Sequence, residues 1–93
     1  MSYSFMVSEH TKEQAKAAVH AAFDEMVAGQ PEHAHDRIPA EAAAHAMIDA
    51  VDVADGQQIH VSCNGYLMWS VVGQEHARNQ YTGASVNCTV SVA

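Results

Sequence analysis

The densest set of potential metal ligands in the sequence is His33, His35 and Asp36, with Glu32 beside them. A neutral imidazole and a carboxylate are donors that suit zinc. The His-x-His pair falls in a connecting segment, however, and no third His or Cys stands at a supporting spacing, although His45 could approach in space. The plainer reading is a solvated loop in which Asp36 caps the following helix. His20–Asp24 and His45–Asp49 are each spaced as neighbours on one helix face, and such pairs ordinarily stabilise a helix by only about 0.3 kcal/mol. A catalytic dyad would also need a nucleophile and a concave site.

Cys63 and Cys88 share the inward parity of two strand-like runs. Small buried thiols are the expectation, with a disulfide across neighbouring strands as the alternative. No histidine is forced near either sulfur, so nucleophilic thiol chemistry has little support. The polar segment between Gly73 and Gly83 reads as a loop in which Arg78, His76 and Tyr81 could contact a nucleotide or another anion. Its glycines are too far apart for a phosphate-cradling loop. No cofactor is expected.

These residues need elements to position them. Tyr3, Phe5 and Val7 alternate with polar or flexible neighbours, which predicts a half-buried strand. Thr11, with Gln14 three residues on, opens a helix in capping-box fashion. Ala15, Val19, Phe23 and Met26 form its apolar face, and Gly29 is the expected left-handed stop. After a connection containing Pro31, Pro39 suits the first turn of a second helix with Ala40, Ala44 and Ile48 on its inner face. Asp55-Gly56 ends that unit. Ile59, Val61 and Cys63 alternate, Asn64-Gly65 follows, and Tyr66 to Val72 reads as another strand. Asn-Gly between two such runs predicts a two-residue type I′ hairpin turn. Val86, Cys88, Val90 and Val92 mark a last strand.

The expected fold is therefore a single α+β domain over residues 1–93. It has the order β-α-α-β-β-β, with a mostly antiparallel four-stranded sheet and two helices packed on one face. The hairpin register would set His60 opposite Trp69 and Ser62 opposite Leu67 on the outer face of the sheet. An exposed Trp beside a Leu marks an interface. Trp69, Leu67, His60 and Ser62 are thus the candidate interaction surface, for a protein partner or for self-association, with a dimer favoured. A longer turn would flip the register and bury Trp69.

Composition narrows the classes of function. With 48% hydrophobic and 16% charged residues, the chain can build a core and is not of the disordered class. Eleven Asp and Glu against four Lys and Arg give a formal net charge of −7. Lys12, Lys16, Arg37 and Arg78 do not cluster, so direct nucleic-acid binding is not expected. Residues 1–8 lack the basic start and apolar run of a signal peptide, and no apolar stretch is long enough to span a membrane. A cytoplasmic location with reduced thiols is the corresponding expectation.

Several segments also resemble small proteins encoded in bacteriophage and prophage genomes. They are Met1-Ser2-Tyr3-Ser4-Phe5-x-Val7, Thr11-Lys12-x-x-Ala15-Lys16-x-x-Val19, Gln30-Pro31-x-His33, Val61-Ser62-x-Asn64-Gly65-x-x-x-Trp69 and Ala84-Ser85-Val86. The resemblance spans nearly the whole chain. It implies a phage accessory protein made in a bacterial cytoplasm and carries no catalytic residues to this chain. By analogy it admits a protein that binds a host factor, such as an inhibitor of host defence, or a minor virion component.

Overall fold

In the computed structural model, the backbone is described for residues 2–72 and 78–93, and side chains for residues 3–66 and 85–93. Strand β1 (Ser2–Glu9) leads into helix α1 (Lys12–Gly29). A single 3-10 turn (Pro31–His33) connects to α2 (Arg37–Ala50), followed by the long strands β2 (Ile59–Val72) and β3 (Arg78–Val92). The described strands form one antiparallel sheet of order β1-β2-β3.

The α+β class and the two helices agree with the sequence reading, but the four-stranded sheet does not. The two runs expected on either side of Asn64-Gly65 are one continuous strand, β2, paired with β1 on one side and β3 on the other. Asn64 and Gly65 both have negative φ, which excludes a type I′ turn. The reason lies in packing: Gly65 is buried directly beneath the His33 ring, where a side chain would collide. A strand glycine marks a close approach as readily as a turn. Between the end of β2 at Val72 and the start of β3 at Arg78, residues 73–77 lie outside the described residues. Of the loop expected from Gly73 to Gly83, residues 78–83 belong to β3.

Thr11 caps α1 as expected, its Oγ1 accepting from the Gln14 amide at 3.1 Å. The helix does not end on a left-handed glycine. Gly29 lies within it, and Gln30 closes it by donating its amide to the Met26 carbonyl at 2.8 Å before Pro31. Gly56, with φ 84°, is the one residue in the left-handed region among those described, and it turns the chain into β2.

Both helices lie on one face of the sheet, α1 on the β1 side and α2 on the β3 side. Val19, Phe23 and Met26 of α1, Ile48 of α2, and Ile59 and Val61 of the central strand are completely buried between the layers. Each such side chain stabilises the fold by roughly 1.5–3 kcal/mol. Phe5 meets Phe23 edge-on with ring centroids 5.1 Å apart, joining β1 to α1. The inner-face residues of the two edge strands, among them Val7 and Val90, are only half-buried.

Cys63 and Cys88 stand directly opposite each other on β2 and β3, with Cα atoms 4.0 Å apart, and are disulfide-bonded. This corrects the expectation of free thiols. The inward parity of both strands agrees with the sequence reading, and the pairing of β2 with β3 brings the two sulfurs together. Beyond Tyr66, β1 has ended, and β2 and β3 continue as a two-stranded ladder to Val72 and Arg78, with an irregularity between Met68 and Trp69. The molecule is accordingly elongated, 62 × 19 × 16 Å. Its radius of gyration is 16.0 Å, against about 12 Å for a compact chain of this length. Among the described residues, no helix is long and apolar enough to cross a membrane.

Candidate interaction surface

The sheet face turned away from the helices is open. Its rows run across all three strands: Ser8, His60 and Ser91; Met6, Ser62 and Thr89; Ser4, Asn64 and Asn87. Tyr66 continues β2 beyond them, opposite Ser85. Met6 and Tyr66 are the large apolar groups here, 70% and 50% exposed. Ser8 Oγ and His60 Nδ1 share a hydrogen bond at 2.7 Å, which ties β1 to β2 on this face. No Asp, Glu, Lys or Arg occurs in any of these rows. At strand spacings of about 4.8 Å and a rise of about 3.3 Å per residue, the face covers roughly 400 Å².

Charge is concentrated on the opposite layer, where it holds the helices together. Arg37 donates to Asp24 of α1 and to Glu41 of α2, both at 2.6 Å, and its guanidinium sits 5.5 Å from the Phe23 ring centroid. His20 Nδ1 lies 2.7 Å from Glu41 Oε2, closer than its helical neighbour Asp24 at 3.7 Å. Lys16 pairs with Asp49 at 2.9 Å, and Lys12 donates to the Asp49 carbonyl at 2.8 Å. The basic side chains among the described residues are therefore all engaged within the fold. Of the expected helical pairs, His20–Asp24 is present beside the shorter contact to Glu41, whereas His45 approaches Glu41 rather than Asp49. His45 Nε2 approaches Glu41 at 3.6 Å.

These contacts move the titrations. The hydrogen bond to Glu41, with the charges of Glu41 and Asp24, raises His20 above its ordinary value of 6.5. Burial pushes Glu41 up, but the hydrogen bonds from Arg37 and His20 more than offset it and hold the carboxyl below its usual range. The Arg37 hydrogen bond likewise lowers Asp24, and that of Lys16 lowers Asp49.

The structure treats the sequence candidates unequally. His60 and Ser62 are on the outer face as expected, but not beside Trp69 and Leu67. His60 pairs with Ser8 and Ser91, and Ser62 with Met6 and Thr89. In the backbone register Leu67 stands opposite Ala84 and Trp69 opposite Tyr81, with Trp69 about 30 Å along β2 from His60. The side chains of Leu67, Trp69, Arg78 and Tyr81, and His76 altogether, lie outside the described residues. The possible metal ligands are separated. His33 is fully buried, with its Nε2 2.9 Å from Gln30 Oε1, while His35 is exposed and Asp36 is half-buried at the start of α2. No group of three metal-binding side chains occurs among the described residues.

Asn87 and Thr89 fall on the wet face of the last strand as the alternation implies, whereas Met6, Asn64 and Tyr66 are not legible as outer-face residues from the sequence. The available signal was negative: the outward positions of β1, β2 and β3 lack charge in a strongly acidic chain. No protein-family model, characterised protein or solved structure matches the chain.

Proposed function

We propose that this chain is a non-enzymatic interaction protein that docks a protein partner on the outer face of its sheet. The observation that carries this reading is the absence of charge from every row of that face among the described residues, in a molecule of net charge −7. Interface cores are depleted of charged residues, and a face of Ser, Thr, Asn, Met and Tyr combines hydrogen bonding with apolar contact. The carboxylates Glu13, Glu25, Asp52 and Asp55 are exposed on the helix side, where they repel nucleic acid and discourage contact there with acidic partners. At roughly 400 Å² the face is about half of what a standard interface takes from one partner. The resemblance to phage-encoded proteins fits an accessory role of this kind, with a host or phage protein as the partner.

The test compares proteins retained from a bacterial host lysate by wild type, by Met6→Glu, and by Glu25→Ala on the helix layer. A protein held by wild type and Glu25→Ala but lost from Met6→Glu supports the reading. Equal retention by all three overturns it.

A further inference from the structure

We propose that the open edge of β3 and the adjoining flank of α2 form a second, separate interface, and that its occupant is another copy of this chain. Gln58 and Ala93 exchange both of their backbone hydrogen bonds, at 3.0 and 3.2 Å. Hydrogen-bonded and non-hydrogen-bonded pairs alternate along an antiparallel ladder. It follows that Ser91, Thr89 and Asn87 direct their backbone groups inward to β2. Val92, Val90, Cys88 and Val86 direct theirs outward, to an edge that no further strand covers among the described residues.

Edge strands are ordinarily blunted by a charge, a proline or a bulge. From Ala84 to Val92, β3 has no charged residue and no proline, and its register with β2 is unbroken. The helix above this edge repeats the pattern. Arg37, Glu41 and Asp49 of α2 are turned to α1 by their ion pairs. On the side away from α1, the helix presents Pro39, Ala43, Ala46 and Ala50, all exposed, with Met47 half-buried. Charge is thus absent from these positions of both layers, and Asp36 at the start of α2 and Glu32 in the preceding turn stand at one end of the flank.

A second copy fits these features together. Free N–H and C=O groups at a strand edge call for another strand, and antiparallel pairing of β3 with β3 supplies it symmetrically. The same operation sets α2 against α2 where alanines allow close approach. A chain of net charge −7 meets itself most readily where its carboxylates are few, and the stretch from Val86 to Val92 with Ala43, Ala46 and Ala50 carries none. The flank is about 26 Å long and two layers deep, roughly 500 Å² per copy. The total of about 1,000 Å² reaches the lower limit for a specific interface. The product is a continuous six-stranded sheet whose two outer faces lie side by side.

Light scattering combined with amide hydrogen exchange tests this. At about 100 μM the wild type should have twice its 10.0 kDa mass. The amides of Val86, Cys88, Val90 and Val92 should exchange slowly there and become fast on dilution to monomer, while those of Asn87, Thr89 and Ser91 stay protected throughout. Ala43→Glu combined with Ala46→Glu, both at exposed positions, should give a folded monomer with the four fast amides, and Met6→Glu should remain a dimer. A wild type that is monomeric at every concentration overturns the proposal. So does a dimer in which the four amides exchange freely, or one dissociated by Met6→Glu rather than by the α2 changes. Loss of partner retention in a Met6→Glu dimer would concern the outer face alone, so the two readings fail separately.

Discussion

The imidazole of His33 rests on Gly65: a Cβ added to that glycine would lie 3.0 Å from Nε2 and 3.1 Å from Cε1, with Met26 Sδ at 3.3 Å. Gly65→Ala should therefore destabilise the fold by about 1–3 kcal/mol, because a buried ring must move. His33→Ala in the same chain should recover part of the loss. Urea denaturation of the two single variants and the double variant measures the coupling, and strict additivity would remove the contact as the cause.

That glycine also explains where sequence reading went astray. Asn64-Gly65 has the composition of a tight turn, and nothing nearby in the chain reveals that a residue 32 positions earlier packs upon it. The error split one strand into two and carried Trp69 and Leu67 to the wrong neighbours. Properties that depend on local period survived: the inward parity of Ile59, Val61 and Cys63, the Thr11 cap, and the helix faces of Val19 and Ile48. Whether Cys63 meets Cys88 was decided by strand order, which periodicity does not encode.

The disulfide closes a loop with a sequence separation of 25. Replacing both cysteines by serine should lower stability by about 3 kcal/mol, mainly through the freed entropy of the unfolded chain. Chemical unfolding with and without reductant is the measurement. Reductant should shift the wild-type midpoint and leave the double variant unchanged.

Arg37 and Glu41 are both largely shielded, with 15% and 16% of their side chains exposed. Arg37→Ala leaves Glu41 without its strongest partner and uncovers the Phe23 ring. A loss of about 1–3 kcal/mol is expected. Glu41→Gln should cost less, because the amide can still accept a hydrogen bond from Arg37. Thermal unfolding of the two variants gives the order.

The pH profile follows from the same cluster. His20 is raised in the folded state, so its contribution is complete below 6.5 and is lost as pH rises through the higher folded value. Asp24, Glu41 and Asp49 are lowered, so theirs are present above their ordinary values of 3.8 to 4.5 and lost as pH falls through the folded ones. The melting temperature should be greatest between about pH 5 and 6.5. His20→Gln should flatten the decline on the alkaline side and also soften the acid limb in part, because His20 helps to hold Glu41 and Asp24 low.

The bond between Cys63 and Cys88 also fixes how the rows of the outer face line up. Along β3, valines and the cysteine alternate with Ser, Asn and Thr, so burial of the apolar set opposes a slip of one residue against β2, whereas a slip of two residues would keep the same face inward. Repetitive strands of this kind have few distinctive side chains to oppose such a slip. A covalent link permits one alignment only. It acts as a register pin, and the uncharged outer face exists as a defined surface because the pin is in place.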